Sequence, residues 1–79
     1  MSRVTDISNK PYLGKIISSR LKSLNMTQKE FANDIGVDKV YLNRIIAGRS
    51  IPSLQMLRKI ANGLQIDVKE LANALLLEG

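Results

Sequence analysis

Apolar residues recur at intervals of three and four along most of the chain, which is the spacing of amphipathic helices. The first helix is predicted to start at Pro11, because proline suits a first helical turn, and to end near Asn25, a residue that tolerates the left-handed conformation. Its apolar positions are Leu13, Ile16, Ile17, Leu21 and Leu24. Residues 1–10 carry no such periodicity and are expected to form a flexible arm, so the predicted domain spans residues 11–79.

Two short helices follow, each with its own start and stop signals. Thr27 and Glu30 have the spacing of a capping box, in which each side chain accepts a hydrogen bond from the other residue's amide. Gly36 is placed to take the positive φ that ends this second helix. Asp38 caps the third helix and Gly48 ends it. The sequence therefore predicts two helices joined by a tight glycine turn.

Two further helices complete the pattern. Pro52 and Ser53 begin the fourth, and Asp67 with Glu70 repeats the capping-box spacing before the fifth. The apolar stripe of the fourth helix is predicted to be Leu54, Leu57, Ile60, Ala61 and Leu64. No segment has the strict two-residue alternation of a half-buried strand. We therefore expect an all-α domain of five helices preceded by an arm.

The second and third helices satisfy three requirements of a pair that reads DNA. A small residue, Ala32, stands where the two helices must approach closely, and Gly36 follows to make the turn. Leu42 and Ile45 supply the buried aliphatic side chains that would hold the inner face of the third helix in place.

Charge is distributed unevenly along the chain. Its 79 residues include 12 basic and 7 acidic side chains, for a net charge of +5. Residues 39–59 contain Lys39, Arg44, Arg49, Arg58 and Lys59 and no acidic residue. This basic block is a candidate surface for a polyanion, although a solvated helix face gives the same pattern.

Composition narrows the possible chemistry. The chain has no histidine and no cysteine, so the commonest general base and the commonest metal ligands are missing. We therefore expect no catalytic residue, no metal and no cofactor. No apolar run approaches the roughly 18 residues that span a bilayer, and no signal-peptide pattern is present, so we expect a cytoplasmic protein without membrane contact.

Residues 27–53, TQKEFANDIGVDKVYLNRIIAGRSIPS, resemble the lambda-repressor-like family of helix-turn-helix regulators, also called Cro/XRE. The pairs Thr27-Gln28, Phe31-Ala32 and Gly36-Val37 carry the resemblance, together with Leu42, Ile45, Gly48 and Pro52-Ser53. The likeness covers about residues 13–75. Small regulators of phage, plasmid and restriction-modification systems share this size and layout.

The resemblance implies that the helix after Asp38 enters the major groove of double-stranded DNA. The base-reading candidates, expected to be exposed, are Lys39, Val40, Tyr41, Asn43 and Arg44. Arginine and lysine can reach guanine O6 and N7, asparagine can read adenine, and valine can contact a thymine methyl. Lys39 and Arg44 are the leading candidates.

A second set of residues is expected to contact the DNA backbone. By resemblance, Gln28 binds a phosphate at the start of the second helix, helped by free amides there. Arg49, Ser50 and Ser53 follow the third helix on a loop expected to lie along the sugar-phosphate backbone, although Ser53 would also cap the fourth helix. Arg58 and Lys59 fit a solvated face better.

One departure from the family concerns a buried ion pair. Many members pair an arginine on the first helix with a glutamate at the end of the third, and those positions here hold Leu21 and Ile46. Because both charged partners are replaced together by aliphatic residues, the swap avoids the cost of burying two charges. We expect the fold to be retained.

The fifth helix ends in consecutive leucines that one helix face cannot bury. If Leu71 and Leu75 pack on the domain, Ala72 with Leu76 or Leu77 is left for a homodimer interface, unless the arm covers it. A symmetric dimer would place two reading helices about 34 Å apart and bind an inverted repeat. The sequence thus predicts a dimeric, DNA-binding transcription regulator that acts as a repressor.

Other functional classes remain open. An antitoxin, or another protein-interaction module that also binds DNA, is the main alternative, and a protein partner would then be required. A single-strand or RNA binder is disfavoured because the chain has only one Phe and two Tyr with which to stack bases.

Overall fold

The computed structural model describes residues 12–78, with side chains described for residues 12–76. This part of the chain forms five α-helices and no strand. They are α1 (Tyr12–Ser23), α2 (Gln28–Ile35), α3 (Lys39–Ile46), α4 (Leu54–Leu64) and α5 (Val68–Glu78). The predicted all-α class and the order of the helices are confirmed. The predicted arm, residues 1–10, and Pro11 lie outside the described residues.

The helices enclose one apolar core. Helix α1 packs against α3, α4 and α5, α2 packs against α3 and α4, and α4 packs against α5. No polar or charged residue in the described part of the chain is buried. The buried hydrophobic residues are Leu13, Ile17, Leu21, Phe31, Ala32, Leu42, Ile45, Ile46, Leu57, Ile60, Ala61, Leu64, Leu71 and Ala74. None of the five helices is both long and apolar enough to cross a membrane.

The predicted apolar stripes match this core except at Leu54. Leu57, Ile60, Ala61 and Leu64 are buried, whereas Leu54 is 55% exposed. Leu54 is the first residue of α4, and helical side chains lean toward the N-terminus of their helix. A leucine at this first position therefore has little of the helix above which to pack, which accounts for its exposure.

Most predicted helix ends are confirmed. Asn25 and Gly48 both take positive φ, at 59° and 81°. The Oγ of Ser53 accepts a hydrogen bond from the Met56 amide at 3.1 Å and so caps α4. Helix α4 also ends at a residue in the left-handed conformation, but here the residue is Gln65, with φ 62°, and not a glycine.

The capping box predicted before α5 is wrong in its partner. Asp67 Oδ1 accepts from the amide of Lys69 at 3.0 Å, one residue earlier than a box with Glu70 requires. The Glu70 amide instead bonds the Asp67 backbone carbonyl at 3.0 Å. Asp67 still begins the helix, because its carboxylate satisfies an amide that lacks a partner inside the helix.

Helix α1 meets the end of α3 without a side chain between the two backbones. A Cβ added at Gly14 would collide with the backbone carbonyl of Ile46. Leu21 and Ile46, which replace the family's charged pair, are each 3% exposed. The junction of α1 and α3 is therefore apolar and closely packed, and this packing positions α3.

Candidate nucleic-acid interface

Helix α2 begins with two amides left free. The Thr27 amide donates to Glu30 Oε1 at 2.9 Å, and the Glu30 amide donates to Thr27 Oγ1 at 3.0 Å, so the predicted capping box is complete. The first four amides of a helix have no partner within it, and the box satisfies two of them. The backbone amides of Gln28 and Lys29 have no acceptor among the described residues. They lie at the positive end of the helix dipole, which favours the binding of an anion.

The turn after α2 sets the direction of α3. Gly36 has φ 70° and ψ 38°, and its amide points to the carbonyls of Ala32 and Asn33. The Val37 amide bonds the Ala32 carbonyl at 2.9 Å, which completes the turn. Ala32 itself is 1% exposed. The predicted roles of Ala32 and Gly36 in bringing the two helices together are consistent with this geometry.

Helix α3 has one buried face and one exposed face. Asp38 caps it through a 3.4 Å hydrogen bond from the Val40 amide, and Leu42, Ile45 and Ile46 are buried against the core. The exposed residues of the opposite face are Lys39, Val40, Asn43, Arg44 and Ala47. We name Lys39, Val40, Asn43 and Arg44 the outer face of α3.

Tyr41 departs from the expected exposure. It is only partly exposed and packs against the core, whereas the other four base-reading candidates are exposed. Tyr41 immediately precedes the buried Leu42 in a helix whose inner face also includes Ile45, so its position falls at the edge between the two faces. The Tyr41 side chain therefore contacts the core and is also partly exposed to solvent.

The structure brings together two candidates to which sequence reasoning gave separate roles. Asn43 Nδ2 donates to Gln28 Oε1 at 3.1 Å, in an exposed hydrogen bond that spans 15 positions. No periodicity or motif signals this contact, because it depends on the crossing of α2 and α3. Gln28 is partly buried and Asn43 is exposed.

The loop after α3 is tied to the end of that helix. The amides of Arg49 and Ser50 both point to the Arg44 carbonyl, at 2.8 and 3.3 Å. Arg49 and Ser53 are exposed and Ser50 is partly buried. Capping uses only an acceptor lone pair of the Ser53 hydroxyl, so its proton can still be donated.

The cationic side chains near α3 form no ion pair in the part of the chain that the structure describes. Within residues 12–76, no ion pair or hydrogen bond is found for the side chains of Lys39, Arg44 and Arg49. Arg58 and Lys59 are also exposed, on α4. The region therefore offers several cationic donors, amide and hydroxyl donors and one exposed valine. This set is suited to a polyanion that also presents hydrogen-bonding and methyl groups, as the base edges of DNA do.

The C-terminal part of α5 leaves an apolar side chain in solvent. Leu71 and Ala74 are buried and Leu75 packs partly against the core, whereas Leu76 is 77% exposed. Ala72 is partly buried. The side chain of Leu77, the third residue of the predicted dimer interface, lies outside the described side chains.

Arg20 has a structural role that the sequence did not indicate. Its Nε donates to the Leu64 carbonyl at 2.9 Å and so satisfies the C-terminal end of α4 from α1. The two residues are 44 positions apart, so no local pattern predicts the contact.

The chain matches a helix-turn-helix family model and two phage-associated proteins, one of them named as a transcriptional repressor. A family model described as Helix-turn-helix matches residues 12–71, from the start of α1 into α5. The cryptic phage CTXphi transcriptional repressor RstR of Vibrio cholerae serotype O1 is 31% identical over 55 residues, which cover 70% of this chain and 49% of that protein. The ImmF control region 10 kDa protein of Bacillus phage phi105 is 34% identical over 59 residues, which cover 75% of this chain and 66% of that protein.

The similarity to these relatives is partial in length. The chain spans about half of the first relative and just under two thirds of the second. No solved structure matches the chain.

Proposed function

This chain belongs to the lambda-repressor-like, or Cro/XRE-type, helix-turn-helix family, and we propose that it regulates transcription by binding a specific double-stranded DNA site through α3. The observation that carries the proposal is the division of α3 into two faces. Leu42 and Ile45 fix the helix to the core, while Lys39 and Arg44 are exposed and unpaired within residues 12–76. A helix fixed in this way fits the major groove, which is about 12 Å wide.

Sequence is read by three residues of the outer face of α3, Lys39, Val40 and Arg44. Arg44 and Lys39 donate to O6 and N7 of guanine, and Val40, which is 55% exposed, contacts the methyl group of a thymine. These residues lie in the first six positions of α3, and the N-terminal part of a recognition helix is the part that reaches base edges.

The protein is positioned along the DNA backbone by residues on either side of α3. Gln28 and the free amides at the start of α2 bind one phosphate. Arg49, Ser50 and Ser53 contact the sugar-phosphate backbone from the loop and the cap of α4. These contacts contribute affinity and register but little sequence preference.

A first experiment tests the DNA-reading proposal. We expect selection from random duplexes to recover an inverted repeat. Arg44→Ala should lower the binding free energy on that duplex by about 1–3 kcal/mol and relax the preference at one base pair. Arg49→Ala should weaken binding to all duplexes alike. It should also reduce the salt slope, which is the slope of the logarithm of the binding constant against the logarithm of salt concentration, by about 1 in magnitude. Lys69→Ala, at an exposed position on α5, is the control with the same loss of charge. Absence of preference for any duplex in the unaltered protein would refute the proposal.

The regulator acts as a homodimer that represses transcription. The exposed Leu76 beside buried Leu71 and Ala74 supports an interface on α5, because large apolar side chains in solvent are a cost that a partner removes. Ala72 and Leu77 complete that interface. The similarity to a protein named as a phage transcriptional repressor supports repression, in which bound protein blocks access to a promoter.

A second experiment tests the dimer. Leu76→Lys should give monomers with weak affinity for the inverted repeat, measured by sedimentation and DNA titration. Asn62→Lys, exposed on α4, adds the same charge and should leave the dimer intact. An unchanged dimer in Leu76→Lys would refute the assignment of this face.

A further inference from the structure

Asn43 lies on the α2 side of the outer face of α3. Its Nδ2 donates to Oε1 of Gln28 at 3.1 Å, and Gln28 is the first residue of α2. In the proposed function the start of α2 lies against the sugar-phosphate backbone and not over base edges. A residue of α3 within hydrogen-bonding distance of that point therefore lies toward the backbone side of the groove.

The direction of this bond matters for a phosphate contact. A glutamine carboxamide presents a carbonyl oxygen at one end and two N–H donors at the other, and its terminal torsion is broad and nearly two-fold. Only the N–H end can bind a phosphate oxygen, so a flipped carboxamide would present an acceptor to another acceptor. The N–H of Asn43 at Gln28 Oε1 favours the orientation in which both Nε2 donors of Gln28 remain available.

We propose that Asn43 is a positioning residue that holds the carboxamide of Gln28 in its phosphate-binding orientation, and that it is not a base reader. This inference rests on the proposed DNA-binding function. It revises the role that the resemblance implied for Asn43 and leaves Lys39, Val40 and Arg44 as readers. Asn43 thereby links α3, which reads the bases, to Gln28 on α2, which binds the phosphate.

The test is a double-mutant cycle on the full chain. Asn43→Ala, Gln28→Ala and the double variant are titrated against a duplex selected from a random pool and against a random-sequence duplex of equal length. Asn43→Ala should weaken both duplexes by about fivefold, the loss expected for one hydrogen bond. It should have no further effect once Gln28 is alanine, because its action passes through that side chain.

Two further readouts separate this role from base reading and from loss of folding. The preference at every base pair, measured with single base-pair substitutions, should be unchanged in Asn43→Ala, and so should the salt slope, because Gln28 is neutral. Asn43→Ala replaces an exposed helical residue by a better helix former, so the midpoint temperature of thermal unfolding should be unchanged or slightly raised.

Outcomes distinguish this inference from the proposed function. If the unaltered protein prefers one duplex but Asn43→Ala relaxes preference at a single base pair, Asn43 is a base reader and the inference is overturned. If the effect of Asn43→Ala multiplies with that of Gln28→Ala, Asn43 acts independently of Gln28 and the inference is also overturned. If the unaltered protein binds no duplex, both the inference and the proposed function are overturned.

Discussion

The α2–α3 pair and the α4–α5 pair are joined by turns of the same construction. Gly36 and Gln65 are both left-handed, with φ 70° and 62°, and each amide points to two carbonyls of the preceding helix. The next residues, Val37 and Ile66, complete the turns with 2.9 and 3.0 Å hydrogen bonds. An aspartate then caps the second helix of each pair. Turn geometry therefore does not distinguish the pair proposed to read DNA.

The two pairs differ in what their second helices expose. Helix α3 exposes Lys39 and Arg44, whereas α5 packs along both α1 and α4 and exposes the apolar Leu76 near its end. A helix-turn-helix arrangement fixes how two helices cross, and the outward side chains decide what they bind. The comparison predicts that changes in the turns alter stability and that changes on the outer face of α3 alter binding.

The largest effect is expected where α1 supports the first pair. Gly14→Ala should lower the free energy of unfolding by about 3 kcal/mol, because the new Cβ collides with the backbone of Ile46, which cannot move as a side chain can. Urea unfolding measures the loss. Ser19→Ala, at an exposed position of the same helix, is the control and should change little. A Gly14→Ala protein as stable as this control would contradict the close contact of α1 with α3.

The two turns should respond with opposite signs. Gly36→Ala should cost about 1 kcal/mol, because a left-handed alanine is penalised by more than the entropy it saves in the unfolded chain. A Cβ there has no atom within 4 Å, so the cost is in the backbone. Gln65→Gly should gain about 0.5 kcal/mol by the same balance. Thermal unfolding of both variants checks this, and a shift of the same sign in both would show that the turns are not equivalent.

The smallest effect separates the two aspartate caps. Asn caps a helix as well as Asp, so Asp38→Asn and Asp67→Asn should each change stability by no more than about 0.5 kcal/mol. Asp38→Asn removes a negative charge beside the outer face of α3 and should raise DNA affinity about twofold at low salt. Asp67→Asn should leave affinity unchanged. Equal responses in DNA titrations would place the DNA elsewhere on the domain.

Local signals account for the parts of the fold that the sequence predicted. The capping box of Thr27 and Glu30, the left-handed Asn25 and the glycine turn at Gly36 each depend on residues within about one helical turn. The exposed faces follow from helical periodicity in the same way, and most of the candidate site was therefore predictable. Gln65 was not predicted as a left-handed residue, because its side chain carries no such preference.

The sequence by itself determined the number and order of the helices and most of their inner faces, apart from Leu54 and Tyr41, since these features arise from interactions between near neighbours in the chain. Tertiary structure decided which distant residues meet: Asn43 with Gln28, Arg20 with the Leu64 carbonyl, and Gly14 with the backbone of Ile46. These contacts depend on helix crossings, and a crossing is set by the packing of the whole core. For that reason the spacing of residues could predict which side of α3 faces outward, but not that Asn43 is bonded to α2.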